Sequence, residues 1–212
     1  FIAVKIFTFS RSNLATLRGQ RKVEIISTPM KRILYCLLVL GISIYCHSQQ
    51  QFSIDLQPIS INGAPSNHSA SYAQLGDKWL FIGGRANGLH GFLPPFAFPS
   101  SGINDKIWVI DPVVDQTWFA PTDSLAENIR EAITSSNMQF YQEDTILYMV
   151  GGYGHQDAAG DHITFPTLTA IDIPGLVNAV ENGFSITPFF RQIVDSNLTI
   201  CGAHLQKLDS TY

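Results

Sequence analysis

Cysteines and charged residues are both scarce in this sequence. Of its three cysteines, Cys36 and Cys46 lie in an apolar N-terminal segment and only Cys201 lies beyond it, so no disulfide can form within the remainder of the chain. Charged residues make up 14% of the 212 residues and hydrophobic residues 45%, a balance that excludes an intrinsically disordered protein. The chain must therefore be stabilised by a packed core.

A hydrophobic run long enough to span a membrane is also missing. The most apolar stretch, residues 33–45, has about 13 residues, whereas a spanning helix needs roughly 20. Basic residues precede it and small residues, Cys46 and Ser48, follow it, which is typical of a cleaved secretory signal. We expect residues 30–48 to be a signal peptide and the mature protein to be secreted or at the cell surface, without stable membrane insertion. A lipid anchor on Cys46 is the alternative, which the bulky neighbour Tyr45 disfavours.

Few basic residues remain once this N-terminal part is removed. Residues 1–29 show no sustained helix or strand period and are interpreted as a non-native upstream leader, with a basic arm that binds nucleic acid as the alternative. From Gln49 onward six Lys and Arg stand against 16 Asp and Glu, a formal charge of −10. We therefore expect no nucleic-acid partner for the mature chain.

Glycine, aromatic residues and an internal repeat are what the sequence does have. An apolar strand closed by a glycine pair occurs twice, each time after an acidic turn and an alternating segment. Such a repeat predicts two copies of one supersecondary unit. Its parts are the alternating segments 69–74 and 136–141, the turns at Asp77 and Asp144, the strands 78–82 and 145–150, and the pairs Gly83, Gly84 and Gly151, Gly152.

The third strand of each unit ends in an aspartate, Asp111 in the first unit and Asp172 in the second. A turn and a fourth strand that holds Trp118 follow in the first unit. Four strands per unit predict an all-β protein with about two antiparallel four-stranded blades.

The second unit departs from the first after its third strand. Residues 174–180 predict a helix of one or two turns, and the fourth strand is expected near residues 184–187. Phe184 then takes the place that Trp118 has in the first unit.

These residues resemble the kelch repeat family, whose signature is an apolar strand closed by Gly-Gly, a strand ending near Asp, and a Trp several residues later. The resemblance covers residues 67–212 and is closer in the first unit than in the second. More narrowly, the chain resembles large secreted bacterial kelch proteins with a C-terminal sorting domain, which is not visible here. It implies a kelch-type β-propeller, of which this chain is an N-terminal fragment. The signature residues are Gly83, Gly84, Asp111, Trp118, Gly151, Gly152 and Asp172.

The repeat also predicts how the chain is divided. Asp209 occurs where Asp77 and Asp144 do, so the end of the chain opens a third unit, while the alternating residues 52–57 predict a strand that could close the ring. Propellers need about four to eight blades, and we expect the natural protein to be longer. The expected segments are the leader 1–29, the signal 30–48, the N-terminal strand region 49–66, the blades 67–132 and 133–198, and a truncated third blade 199–212.

The glycine pairs and the aromatic residues have structural explanations in such a fold. Crowding toward the propeller axis brings backbones together at the strand ends, where residues without a Cβ fit. The aromatic side chains in the strands are expected to fill the space between sheets rather than to stack on a ligand. They are Trp79, Phe81, Trp108, Trp118 and Tyr148.

Long insertions follow the second strand of each unit. The glycine pairs are 68 positions apart, against a family period of about 50 residues. Because a propeller places both insertions on one face, we predict that they form a recognition surface for a protein or a glycan. Arg85 is either a cation for an anionic ligand or half of a structural salt bridge. The candidate binding residues are Arg85, Asn87, His90, His155, Asp157, Asp161 and His162.

Catalytic and metal-binding patterns are weak. Residues 154–162 hold two His and two Asp, which are zinc ligand types, but their spacing matches no zinc pattern, so we predict no metal and no cofactor. No nucleophile elbow, phosphate-binding loop or paired metal motif appears in the sequence. Propellers that resemble kelch proteins include a copper radical oxidase, and Cys201 here has no recognisable Tyr partner. An enzyme of the oxidase or sugar-processing type, completed by further blades, remains the alternative, and a scaffold without a site is the third possibility.

Overall fold

The computed structural model of this chain describes residues 54–88 and 97–209. The chain divides into two units, Phe1–Leu56 and Gln57–Tyr212, and the strands and helices described here belong to the second. The expected leader and signal peptide, residues 1–29 and 30–48, lie outside the described residues. No helix in the described part of the chain is long and apolar enough to cross a membrane.

The first sheet is a four-stranded antiparallel sheet whose strands follow one another in sequence order. Gly76 and Asp77 join its first two strands in a two-residue turn, and Gly76 takes a positive φ of 61°. β-branched and aromatic residues dominate the strands, as expected for a pleated surface that packs on one side. The strands are β1 (Ser71–Leu75), β2 (Lys78–Ile82), β3 (Lys106–Asp111) and β4 (Gln116–Pro121).

The second sheet repeats this arrangement with one insertion. Its four strands are antiparallel neighbours in the order of the chain, but a separate two-stranded hairpin lies between its second and third strands. The all-β prediction is therefore confirmed at the level of two antiparallel four-stranded sheets. The strands are β5 (Gln139–Glu143), β6 (Ile146–Val150), β9 (Thr167–Asp172) and β10 (Phe190–Val194), and the hairpin is β7 (Tyr153–Gln156) with β8 (Asp161–Thr164).

The two sheets share one pattern of strand pairing. Leu80 lies opposite Val109 in the first sheet, and Tyr148, 68 positions after Leu80, lies opposite Ala170 in the second. Val109 and Ala170 each lie two residues before the aspartate that ends the third strand of their sheet. The repeat seen in the sequence is thus a repeat of hydrogen-bond register.

The prediction for the fourth strand of the second sheet is wrong. Helix α2 (Ile173–Asn182) is longer than expected, because its proline stands in the first turn, where it is tolerated, and the chain does not leave the helix until Gly183 at φ +69°. A 3₁₀ turn follows, and the strand begins only at Phe190.

Phe184 consequently does not replace Trp118. Its side chain is 63% exposed, between the helix and the 3₁₀ turn. The residue opposite Ala170 is Arg191, at the position where Trp118 lies opposite Val109 in the first sheet. The second sheet therefore lacks an aromatic residue at this register position.

The sequence analysis did not predict one helix and one hairpin. Helix α1 (Glu127–Ile133) connects the two sheets, and residues 153–164 form the β7–β8 hairpin rather than a loop. Another expected element is absent, since residues 54–57 are not in a strand, and Ile54 and Leu56 are 72% and 85% exposed.

A single core lies between the inner face of the first sheet, one face of the second sheet and helix α2. Lys78 and Glu181 form an ion pair that ties β2 to this helix. Trp118 packs against the core as predicted, whereas Trp79, Phe81 and Trp108 alternate onto the opposite face of the first sheet. The buried core side chains from the two sheets are Ala73, Leu80, Ile82, Ile107 and Val109 from the first, and Leu147, Met149, Ile171 and Phe190 from the second.

Residues 200–209 repeat the start of both sheets. Ser69, Asn137 and Gly202 all take a positive φ, and the amide of Asn137 donates to the Ser69 carbonyl as the amide of Gly202 donates to the Asn137 carbonyl. Seven positions later in each copy the φ is positive again, at Gly76, Asp144 and Asp209. Asp209 therefore matches Asp144 as expected, but it matches Gly76 rather than Asp77.

The glycine pairs lie where backbones of successive copies meet. The Gly84 amide donates to the Ser135 carbonyl and the Gly152 amide to the Ile200 carbonyl, at 2.8 and 2.9 Å. A Cβ on Gly84, which has a φ of 80°, would collide with the backbone of His68 and Ala70. The predicted reason for these glycines, close approach of backbone to backbone, is confirmed in the geometry.

We expect the substitution Gly84→Ala to lower the free energy of unfolding by about 3 kcal/mol or more, because left-handed strain adds to a clash with backbone atoms that cannot move aside. The matched control is Gly160→Ala, which has a φ of 65° but no atom within 4 Å of an added Cβ. That control should lose only ~1–2 kcal/mol. Urea denaturation measures both, and equal losses would show that close approach does not matter at Gly84.

Candidate functional site

The segments that follow β2 and β6 begin in the same way. Arg85 forms an antiparallel bridge with His68, and Tyr153, 68 positions later, forms the same bridge with Ser136. Each bridge has two backbone hydrogen bonds of 2.8 to 2.9 Å. These bridges send both inserted segments out from equivalent ends of the two sheets.

The two inserted segments meet at a cluster of four rings, which we call the ring cluster: Phe98, Tyr153, His155 and His162. Phe98 comes from the first segment, and its ring lies 5.0 Å from Tyr153 and 6.0 Å from His162, both in the hairpin. Tyr153 stacks on His162 at 5.7 Å, and His162 meets His155 at 5.5 Å in an edge-on arrangement. The predicted proximity of the two insertions is therefore present in the structure.

Arg85 is buried beneath the first segment and holds its shape. Its Nε donates to Oδ1 of Asn87 at 3.2 Å, and its Nη2 donates to the carbonyl of Pro99. The guanidinium also lies over the Phe98 ring, 5.2 Å from the centroid. Burial lowers the pKa of Arg85, and an arginine guanidinium remains cationic at neutral pH.

Neither sequence interpretation of Arg85 fits these contacts. No carboxylate among the described residues pairs with it, and its hydrogen-bonding groups point into the protein toward Asn87 and Pro99. Arg85 and Asn87 therefore support the ring cluster from below, through Phe98. His90 lies outside the described residues.

The hairpin carries carboxylates on both sides of its two histidines. Oδ1 of Asp157 lies 3.3 Å from Nε2 of His155, and Oδ1 of Asp161 lies 3.9 Å from Nδ1 of His162. The amide of Asp157 donates to Oε1 of Glu131 in helix α1 at 2.7 Å. The hairpin is thus fastened to α1 while its histidines and aspartates stay partly exposed.

Two shallow cavities flank the hairpin. One of about 210 Å³ holds Arg130, His155 and Asp157 in its wall, and one of about 340 Å³ lies between α1, the hairpin and β10. Glu127, Glu131 and Asp157 bring carboxylate oxygens within 4.8 Å of one another at this place. Glu131 already accepts a hydrogen bond and Arg130 lies 4.0 Å from Asp157, so these acids have partners within the protein.

Sequence reasoning found the hairpin residues but not the helix beneath them. Arg130 and Glu131 were overlooked because α1 was not predicted, although the acidic and basic residues of 127–131 and the apolar pair Ala132 and Ile133 are a usable helix signal. Tyr153 was not among the predicted binding residues. Its bridge to Ser136 becomes visible only when the two units are aligned at 68 positions.

We expect Arg85→Lys to lower the free energy of unfolding by roughly 1.5–3 kcal/mol, because an ammonium cannot reach both acceptors as the planar guanidinium does. Amide exchange should also rise at Gly102 and Ala86, whose amides bond within this segment. The matched control is Arg191→Lys, at an exposed position, which should change stability by less than about 0.5 kcal/mol. Unchanged exchange at Gly102 would contradict the supporting role of Arg85.

In comparisons with known proteins, no family model matches the chain and no curated protein matches it.

Proposed function

We propose that this chain is part of a secreted kelch-type β-propeller that recognises a protein or a glycan through the segments after β2 and β6. The observation that carries the proposal is the meeting of two equivalent segments in one ring cluster. A rigid sheet scaffold that presents neighbouring loops at one end is a common way to build a binding surface.

The repeated packing between the sheets supports the propeller. Tyr72 of β1 contacts Phe140 of β5 edge-on at 4.8 Å, and these residues are 68 positions apart. Gln74 and Gln142, also 68 apart, exchange two hydrogen bonds of 2.7 and 2.8 Å. Contact between equivalent residues of the two first strands is what radial stacking about a central axis requires.

The outer face of the first sheet, opposite the core, is evidence that further sheets of the same kind pack against it. Three of its five aromatic side chains, Tyr72, Trp79 and Phe81, occupy the register positions at which Phe140, Leu147 and Met149 pack in or against the core in the second sheet. In the described residues no second sheet covers this face, and Tyr72 and Phe119 remain 47% and 51% exposed. We infer that another sheet of the repeat packs here. The five side chains are Tyr72, Trp79, Phe81, Trp108 and Phe119.

The chemistry of the ring cluster and its surroundings suits a polar ligand. Aromatic and imidazole rings offer stacking surfaces, and Asp157 and Asp161, 61% and 84% exposed in their side chains, offer acceptors. The formal charge of −10 from residue 49 onward disfavours polyanionic ligands. A hydroxyl-rich glycan and a protein segment rich in donors both satisfy these conditions.

Phe119→Asp tests whether a sheet covers the aromatic face. In the natural protein we expect the free energy of unfolding to fall by more than about 2 kcal/mol, because a covering sheet would bury the new carboxylate and desolvate it together with the neighbouring Lys106 ammonium. The matched control is Val113→Asp, in the β3–β4 turn at 70% exposure, which should change it by less than about 0.5 kcal/mol. If Phe119→Asp changes the free energy of unfolding, measured with denaturant, as little as the control does, then no sheet covers this face and the propeller proposal is wrong.

Ala158→Arg tests the recognition surface, since it adds bulk at the exposed tip of the hairpin and removes no hydrogen bond of the Ala158 side chain. The matched control is Val114→Arg. Val114 is 61% exposed in the β3–β4 turn, at the end of the first sheet opposite the inserted segments. Labelled protein is applied to an array of oligosaccharides and to a display library of extracellular protein segments. We expect at least one bound probe whose affinity falls about tenfold or more with Ala158→Arg only. The absence of any bound probe, or equal loss in the control, contradicts the proposal.

A further inference from the structure

His155 and His162 lie directly opposite each other on the two strands of the hairpin. Residues in such a cross-strand pair project to the same side of the sheet with Cβ atoms about 4.5–5.5 Å apart. Their imidazole rings are in contact at 5.5 Å, at an angle of 68°. Two nitrogen ligands are therefore held together by backbone pairing and not by chance proximity of flexible loops.

We propose that His155 and His162 form a binding site for a divalent transition-metal ion such as zinc. Two imidazoles on one tetrahedral ion, with metal–nitrogen bonds of about 2.0–2.1 Å, have ring centroids about 5 Å apart. The observed separation of 5.5 Å is close to that value. Imidazole ligands select zinc, nickel and copper over calcium and magnesium.

Each ring has a carboxylate beside it, and that of Asp157 is placed to support a metal-binding imidazole. In metal sites the second nitrogen of a ligating imidazole usually donates to a carboxylate, which fixes the tautomer and makes the ligand more basic. Oδ1 of Asp157 lies 3.3 Å from Nε2 of His155, close enough to take this role while Nδ1 of that ring faces the metal. Oδ1 of Asp161 lies 3.9 Å from Nδ1 of His162, beyond hydrogen-bond distance, and accepts instead from the backbone amide of His162 at 2.7 Å. Their negative charges also stabilise a bound cation.

The site is accessible and partly walled. The side chains of His155 and His162 are 39% and 23% exposed, so an ion can enter from solvent. Tyr153 stacks on His162 at 5.7 Å and Phe98 lies at 6.0 Å, which restricts the motion of that ring. Two protein ligands leave other coordination positions to water or to an oxygen atom of a ligand.

The hairpin also explains why the sequence did not reveal this site. Seven positions separate the two histidines, a spacing that would leave them about 10 Å apart along a helix, too far to share one ion. The four-residue connection 157–160 folds the chain back so that positions 155 and 162 become neighbours. Pairing between strands, and not spacing along the chain, brings the ligands together.

The test is isothermal titration calorimetry of zinc chloride into the natural protein at pH 7.5, without a polyhistidine tag. We expect one ion per chain, and at least about a 100-fold loss of affinity in each of H155Q and H162Q, since even outer carboxylate partners contribute about 10- to 100-fold. D157N should lower the zinc affinity by about 10- to 100-fold.

Matched controls separate this site from other causes. H204Q changes an exposed histidine elsewhere and should bind zinc as the wild type does. E127Q combined with E131Q should also retain zinc binding, and loss of binding there with retention in H155Q would overturn the assignment. Absence of heat in the wild type would overturn it as well, provided thermal unfolding confirms that every protein is folded. Because the probe is zinc alone, failure here leaves the recognition proposal standing.

Discussion

Close approach of backbones at the glycine pairs is the constraint on which the rest of this structure depends. Gly83 and Gly84 end a strand of the first sheet against the chain that leaves helix α1, and the amide of Gly84 bonds to the Ser135 carbonyl of the next unit. The Gly83 carbonyl accepts from the side-chain amides of Asn67 and Asn104. The strand end is therefore fixed both to its own unit and to the next one.

This fixed strand end determines where the inserted segments start. From Gly84 the chain enters the His68–Arg85 bridge, and from Gly152 it enters the matching bridge to Tyr153. The insertions differ in sequence and conformation, yet both leave the sheets at equivalent points and in equivalent directions. Because their origins are rigid, Phe98 and the hairpin rings can meet without a hydrophobic core of their own.

The two sheets share one strand register, but residues at matching positions lie in different environments and therefore differ in chemistry. Tyr72 and Phe140 occupy matching positions, but one lies on an uncovered face and the other packs against the core. The aromatic residues of the first sheet were expected between the described sheets, and only Trp118 lies there. Strand alternation assigned Leu80 and Ile82 to the inner face instead, since neighbouring residues of a strand must point to opposite sides.

The sequence by itself determined the strands β1 to β6 and β9, the two-unit repeat and the glycine positions, because period-two alternation and the need for residues without a Cβ are local requirements. It also identified the inserted segments and most of the hairpin residues. Helix α1, the true start of β10 at Phe190 and the inward role of Arg85 were decided only by the tertiary structure. So was the pairing of His155 with His162. The physical reason is that these features depend on contacts between residues distant in the chain, whose energies no local pattern records.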